Sequence, residues 1–122
     1  MSMDLCLVNG YGIELNDLSW KNKEEVDAFL ANKSESMGVT YYDYTDYIDN
    51  HLTTYLERAT IASTSREYLY YGAIYPLKQN EVYLMTKEEV AKEIYQIMSP
   101  LVNDTEEDIL KLLQDVFDWE TC

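Results

Sequence analysis

Residues that carry out catalysis or bind metal ions are scarce in this 122-residue chain. It contains one histidine, His51, and two cysteines, Cys6 and Cys122. Neither a histidine pair for zinc nor a Cys–His cluster is therefore available, and two unrelated cysteines make a poor disulfide framework. The four glycines include no loop that would cradle a phosphate, because the motif Gly10-Tyr11-Gly12 lacks a third glycine and a following helix. We expect no enzyme activity, no metal, no cofactor and no disulfide.

The chain also lacks an apolar run of membrane-spanning length, and no basic segment followed by an apolar one opens it. We therefore expect a cytoplasmic protein without membrane association. The length suits a single domain over residues 1–122. Because 47% of the residues are hydrophobic, the chain has enough apolar side chains to build a core.

Basic residues are few. Nine Lys and Arg stand against 23 Asp and Glu, which gives a net charge of -14. The acids are spread evenly: residues 1–60 carry 11 acids and 4 bases, and residues 61–122 carry 12 and 5. We therefore expect the folded surface itself to be acidic, to attract basic proteins and to bind neither DNA nor RNA directly.

Two β-hairpins are predicted. The dipeptide Asn9-Gly10 separates two short apolar runs, and Asn-Gly is the strongest short-range signal for a hairpin turn. A second hairpin is expected to pair the tyrosine-rich segment 67–75 with residues 81–85, across a turn at 78–80. We expect the first hairpin to occupy the amino-terminal end of the fold.

About four helices are predicted from capping residues and apolar periodicity. Asn22 and Thr86 each precede a Glu by three residues, as in a capping box, and the polar segment 32–38 indicates a loop. The expected fold class is α+β, with both hairpins packed against the helices. The helices are expected over about 23–31, 43–58, 87–98 and from Asn103 onward.

Two groups of acids are the candidate partner-binding residues. The first lies on the predicted helix 43–58, where a tyrosine accompanies three acids. The second is expected on one face of the last helix, interrupted by Lys111, with a rise of about 4.5–6 Å per step, of the same order as the charge spacing along a nucleic-acid strand. An ordinary solvated helix face explains the same spacing. The candidates are Asp43, Tyr44, Asp46 and Asp49 in the first group, and Asp104, Asp108, Asp115 and Asp118 in the second.

Twelve tyrosines are unusual for a chain of this length. They either fill a small core and its hydrated margin or form a binding surface, since tyrosine brings a large contact area at low entropic cost. The clusters Tyr41-Tyr42 and Tyr68 to Tyr71 are too dense for one side of one element to bury them all.

In size, acidity and lack of catalytic residues, the chain resembles small phage-encoded anti-defence proteins. These include anti-CRISPR and anti-restriction inhibitors that imitate nucleic acid. The resemblance implies a monomer or small homo-oligomer that occupies a basic groove in a nucleic-acid-binding protein, such as a Cas effector or nuclease, in the host cytoplasm. Two alternatives stay open: a bacterial immunity protein that neutralises a toxin nuclease, and an assembly protein that self-associates through its tyrosine-rich strand.

Overall fold

A computed structural model describes residues 5–52, 56–61, 66–75 and 86–121 of the chain. These residues contain four β-strands, four α-helices and one short 3₁₀ helix, so the predicted α+β class is confirmed. In chain order the elements are β1 (Leu5–Glu14), the 3₁₀ helix (Leu15–Asp17), α1 (Lys23–Met37), α2 (Tyr44–His51), β2 (Leu56–Ile61), β3 (Arg66–Tyr75), α3 (Lys87–Met98), α4 (Glu106–Leu112) and β4 (Gln114–Thr121).

The four strands form one closed antiparallel sheet in the order β1-β3-β2-β4. β1 pairs along its length with two neighbours: residues 7–14 lie opposite residues 68–75 of β3, and residues 5–12 lie opposite residues 114–121 of β4. β2 pairs with β3 over residues 56–61 and meets β4 at a single residue pair. β1 therefore forms a ladder of eight residue pairs on each of its two edges.

The predicted amino-terminal hairpin is wrong. Asn9-Gly10 lies in the middle of β1, and the strand continues unbroken to Glu14. Gly10 faces Gly72 on one side and Val116 on the other. A turn at Asn9-Gly10 would pair two short strands with each other, whereas the continuous strand forms two long hydrogen-bonded ladders, with β3 and with β4. Long-range pairing therefore overrides the local turn preference of Asn-Gly.

The predicted tyrosine-rich strand is confirmed as β3, but its hairpin partner is β2. The partner strand predicted at 81–85 and the turn at 78–80 lie outside the described residues. Leu69, Tyr70 and Tyr71 are buried, which places this part of β3 in the interior.

The first helix begins as predicted and ends later. The Asn22 side chain accepts a hydrogen bond from the Glu25 backbone N–H at 2.9 Å, which satisfies a free donor of the first turn. The segment 32–38, predicted as a loop, belongs to α1 as far as Met37. This segment is polar because most of its side chains face solvent, so polarity alone does not indicate a loop.

The helix predicted over 43–58 is correct only in its first half. α2 ends at His51, and Leu56 already belongs to β2. Tyr and Thr, which follow Leu52 in the sequence, have low helix propensity and high strand propensity. Pairing of β2 with β3 also gives residues 56–61 a hydrogen-bonded ladder that a longer helix would forgo.

The third helix agrees with its prediction. The Thr86 hydroxyl accepts a hydrogen bond from the Glu89 N–H at 3.2 Å, and α3 ends at Met98, two residues before Pro100. α3 buries an apolar stripe at helical spacing against the rest of the core. The stripe consists of Val90, Ala91, Ile94, Ile97 and Met98.

Candidate binding surface

Asp43 and Asp46 cap the amino-terminal end of α2. The Asp43 carboxylate accepts a hydrogen bond from the Asp46 N–H at 3.0 Å, and the Asp46 carboxylate accepts one from the Asp43 N–H at 3.1 Å. Asp43 also accepts from the hydroxyls of Thr45, at 2.6 Å, and Tyr41, at 3.3 Å. These hydrogen bonds, with Thr45 contributing most, lower the pKa of Asp43 below its ordinary value. Two of the predicted binding residues thus stabilise a helix end.

The Asp43→Asn variant is expected to lose less stability in acid than the native chain. Asparagine caps a helix about as well as aspartate, but it does not titrate. Because the folded pKa of Asp43 lies below its unfolded value of 3.8, its carboxylate adds stability above that value and loses it as the pH falls through the folded pKa. Urea unfolding between about pH 7 and about pH 3 measures this, and equal losses in both proteins would contradict the capping role.

Asp49, the third acid of α2, is bound to the sheet through Arg58 of β2. The Arg58 Nε and Nη2 atoms donate to the two Asp49 oxygens at 2.8 Å each, and Nη1 donates to Glu67 of β3 at 2.9 Å. The Tyr44 hydroxyl donates to the other Glu67 oxygen, also at 2.9 Å. The hydrogen bonds to Asp49, and then those to Glu67, raise the pKa of Arg58 above its usual value. Asp49 and Tyr44 therefore hold α2 against the sheet.

The second predicted group does not share one helix face. α4 ends at Leu112, so Asp115 and Asp118 belong to β4. The Asp115 carboxylate is exposed and lies 3.6 Å from the Lys87 ammonium. Acids spaced three and four apart predict a helix only while the chain stays helical, and pairing with β1 extends this segment instead.

Asp104 and Asp108 lie at the start of α4 and have structural partners. Asp104 is buried and accepts a hydrogen bond from the Ser19 N–H at 2.6 Å. Asp108 forms a capping box with Thr105, and the hydrogen bond from the Thr105 backbone N–H is the main cause of its lowered pKa. Both acids line one recess, which is also lined by Asp17, Ser19, Lys111 and Leu112.

A groove lies between α1, from Asp27 to Glu35, and the segment 39–43; we refer to it as the α1 groove. Its volume is about 540 Å³. Five apolar or aromatic residues and three acids line it, together with two hydroxyl side chains, and its lining contains no lysine or arginine. The lining residues are Leu30, Ala31, Val39, Tyr41 and Tyr42; Asp27, Glu35 and Asp43; and Ser34 and Thr40.

Three large apolar side chains are exposed at or beside the α1 groove. Met37 is 50% exposed, Val39 42% and Tyr41 74%. Among the described residues, Tyr95 on α3 is the other exposed large apolar side chain. Clustered apolar exposure is typical of a binding surface, whereas single exposed apolar residues are ordinary.

The exposed segment is fixed to the end of α1 by backbone hydrogen bonds. Gly38 adopts a left-handed conformation, with φ of 70°, which most side chains tolerate poorly. The Val39 N–H donates to the Ser34 carbonyl at 3.1 Å, and the Ser34 hydroxyl donates to the Val39 carbonyl at 2.6 Å. The position of Val39 is therefore set by the helix end.

Asp27 and Glu35 were not identified from the sequence. A signal for them exists: Gly38 is the residue type that usually follows a helix, and its use as a stop signal extends α1 to Met37. With that boundary, Asp27, Ala31 and Glu35 recur at intervals of four and share one face of the helix.

Four of the eight basic side chains in the described ranges contact a carboxylate or an aromatic ring of the same chain. Arg58 pairs with Asp49 and Glu67, and Arg66 pairs with the buried Glu14 at 3.2 Å. Lys33 and Lys87 lie over aromatic rings, that of Phe29 at 5.7 Å and that of Tyr11 at 5.1 Å. No ion pair reaches Asp27 or Glu35 from any lysine or arginine in the described part of the chain. The negative charge of the α1 groove is thus uncompensated there.

Four of the nine tyrosine side chains that the structure describes are buried: Tyr42, Tyr47, Tyr70 and Tyr71. Tyr41 is the one that lines the α1 groove with most of its surface exposed. The two dense tyrosine clusters therefore lie mainly in the interior, with Tyr41 exposed at the α1 groove.

Comparison with protein-family models, with curated proteins and with solved structures finds no match for this chain. Within the described ranges, none of the helices has both the length and the apolar character needed to cross a membrane. The same residues include no group of three or more His, Cys, Asp or Glu placed to hold a metal ion. Function is therefore inferred from the chemistry of the surface.

Proposed function

We propose that this chain is an acidic inhibitor that binds and blocks a basic nucleic-acid-binding protein, such as a Cas effector or another nuclease. The α1 groove carries this proposal, because it combines three carboxylates and no basic lining residue with exposed apolar side chains. Surfaces that hold phosphates are rich in Arg and Lys, which attract carboxylates. Apolar contacts add the affinity that exposed charges alone supply poorly.

The proposed surface differs from the one expected from the sequence. Asp43 belongs to the α1 groove, whereas Asp49 and Tyr44 are engaged with the sheet. The regular row of acids expected on the last helix does not form. The proposal therefore rests on charge and apolar complementarity, and no longer on an imitation of phosphate spacing.

Two alternative functions remain to be compared with this proposal: an immunity protein and a self-associating assembly protein. An immunity protein that neutralises a toxin nuclease uses the same physical principle, and the identity of the partner distinguishes it from an anti-CRISPR or anti-restriction protein. Self-association through the tyrosine-rich strand is disfavoured over residues 68–71, because both edges of β3 are paired there within the chain.

Competition with nucleic acid tests the proposal. The protein is immobilised, a cell extract is applied at about 50 mM salt, and the retained nucleic-acid-binding proteins are eluted at about 500 mM and purified. Each is then bound to a labelled duplex. We expect this protein to displace the duplex from its partner, and to do so less effectively as the salt concentration rises.

Capture alone does not support the proposal, since an acidic bait retains many basic proteins. An unrelated acidic protein of similar charge serves as the control bait and competitor. The chain is not an inhibitor of this kind if the partner keeps its duplex when this protein is added in excess. The same conclusion follows if the acidic control protein releases as much duplex as this protein does. Light scattering on the free chain measures its oligomeric state. A dimer or larger oligomer is expected if Met37, Val39 and Tyr41 instead form contacts between copies.

A further inference from the structure

We infer that the α1 groove receives an arginine side chain from an exposed segment of the partner, and that this contact discriminates among basic proteins. The inference deepens the proposed function and rests on it. Net charge attracts any basic surface, so a specific partner requires a site with its own shape and chemistry.

The chemistry of the groove suits a side chain with an apolar stem and a cationic end. Leu30, Val39 and Tyr42 supply apolar contacts, and Asp27 and Glu35 supply carboxylates. Lysine and arginine are the natural side chains that combine these two properties. An acidic or purely apolar segment would leave one half of the lining without a partner.

Two of the carboxylates are available to a ligand. Asp27 and Glu35 are exposed, and their carboxylates form no hydrogen bond or ion pair within the described residues. They lie two turns apart on α1, about 12 Å along the helix axis, and Ala31 between them has only a methyl group. By contrast, both oxygens of Asp43 already accept hydrogen bonds from its neighbours. The carboxylate free to pair with the arginine is therefore that of Asp27 or that of Glu35, because one guanidinium group cannot span the distance between them.

Tyr41 favours arginine over lysine. Tyr41 is 74% exposed and lines the same groove as the carboxylates. A guanidinium group stacks on an aromatic face and directs a planar fork of donors at a carboxylate, whereas an ammonium group is a strongly hydrated point charge. The groove thus offers an aromatic face and carboxylates, the two groups that bind a guanidinium group better than an ammonium group.

The surface is also preorganised. The two hydrogen bonds between Ser34 and Val39 fix the backbone beside the groove, and the Tyr41 hydroxyl is held by Asp43 at 3.3 Å. A ligand therefore binds without first ordering this segment, which lowers the entropic cost of association.

Nuclear magnetic resonance titration tests the inference directly on the isotope-labelled chain. The probes are a short Gly-Ser peptide that carries two arginines and the same peptide with two lysines. We expect the arginine peptide to shift the amide signals of residues 27–43 selectively, and to bind about threefold more tightly than the lysine peptide. Shifts spread evenly over α3 and α4, or no saturable shift at all, would overturn the inference.

Matched variants separate the groove from net charge. Asp27→Asn with Glu35→Gln should weaken the arginine peptide about tenfold. Glu106→Gln with Glu107→Gln removes the same charge from exposed positions of α4 and should weaken it less than about twofold. Tyr41→Leu keeps an apolar side chain and should abolish the preference for arginine. Equal losses in the two double variants, or an arginine preference that survives in Tyr41→Leu, would contradict the assignment; thermal melting confirms that each variant is folded.

This result is independent of the competition experiment. If the chain displaces a duplex from its partner, but the Asp27/Glu35 variant does so equally well, the inhibitor function stands and the groove assignment fails. If the peptide binds as described and no duplex is displaced from any nucleic-acid-binding protein, the groove assignment stands and the proposed function fails.

Discussion

Replacing Tyr47 with alanine is expected to lower the free energy of unfolding by about 4 kcal/mol, as measured by urea denaturation. Tyr47 lies on α2 with only 3% of its surface exposed. Its ring packs edge-to-face on Phe29 of α1, with centroids 5.3 Å apart, and stacks on His51 at 4.3 Å. Its hydroxyl donates to the Ile97 carbonyl of α3 at 2.7 Å. One side chain thus connects three helices, and its truncation leaves a cavity among them.

The Tyr47→Phe variant separates packing from hydrogen bonding. It keeps the ring but leaves a carbonyl in the last turn of α3 without this donor, so the expected loss is about 1 kcal/mol. Tyr95→Ala is the control, because Tyr95 on α3 is 37% exposed and its truncation should cost no more than about 1.5 kcal/mol. If Tyr47→Ala were as stable as this control, α2 would not be anchored to α1 and α3 as the contacts indicate.

Helix beginnings were predictable because their signals are local. Asn22 and Thr86 were identified as capping residues from the Glu three positions later, and both cap as expected. The hydrogen bond that defines a cap joins residues three apart, so the sequence pattern and the physical contact coincide. The amino-terminal ends of α1 and α3 could therefore be predicted without knowledge of the rest of the fold.

Strand partners were not predictable in the same way. Asn9-Gly10 has the sequence of a tight turn, yet β1 passes straight through it because β3 and β4 pair with it from distant parts of the chain. The same competition ends α2 at His51 and extends residues 114–121 as β4. A short stretch with both helical spacing and strand-forming residues is decided by its neighbours in space.

Acid positions were visible in the sequence, but their partners were not. Asp49 appeared free for a partner, and the fold instead places Arg58, nine residues away on another element, against both of its oxygens. Asp43 and Asp46 face the helix end that they cap. The carboxylates left for an external ligand in the α1 groove are those of Asp27 and Glu35. The stop signal at Gly38 places them on one face of α1, but nothing in the sequence shows that they lack partners within the chain.

Replacing Arg58 with methionine is expected to lower the free energy of unfolding by about 2 kcal/mol. The guanidinium group bridges Asp49 on α2 and Glu67 on β3, and its side chain is only 24% exposed. Its removal leaves two carboxylates near each other without a cation. Because the Asp49 side chain is 47% exposed, water and salt screen part of that repulsion, so the loss is smaller than for a fully buried pair. Urea unfolding measures it, with Lys92→Met as an exposed control expected to change stability by no more than about 0.5 kcal/mol.

The Arg58 variants also decide between the two candidate surfaces on α2 and α1. Arg58→Lys keeps the charge but cannot form the forked contacts to two carboxylates, so an intermediate loss of about 1 kcal/mol is expected. Arg58→Met releases Asp49, which would strengthen binding to a basic partner if Asp49 took part in the contact. Because the α1 groove shares neither Asp49 nor Glu67, we expect both Arg58 variants, once shown to be folded, to bind the arginine peptide within about twofold of the native chain. Clearly tighter peptide binding by Arg58→Met would instead place the binding surface on α2, at Asp49.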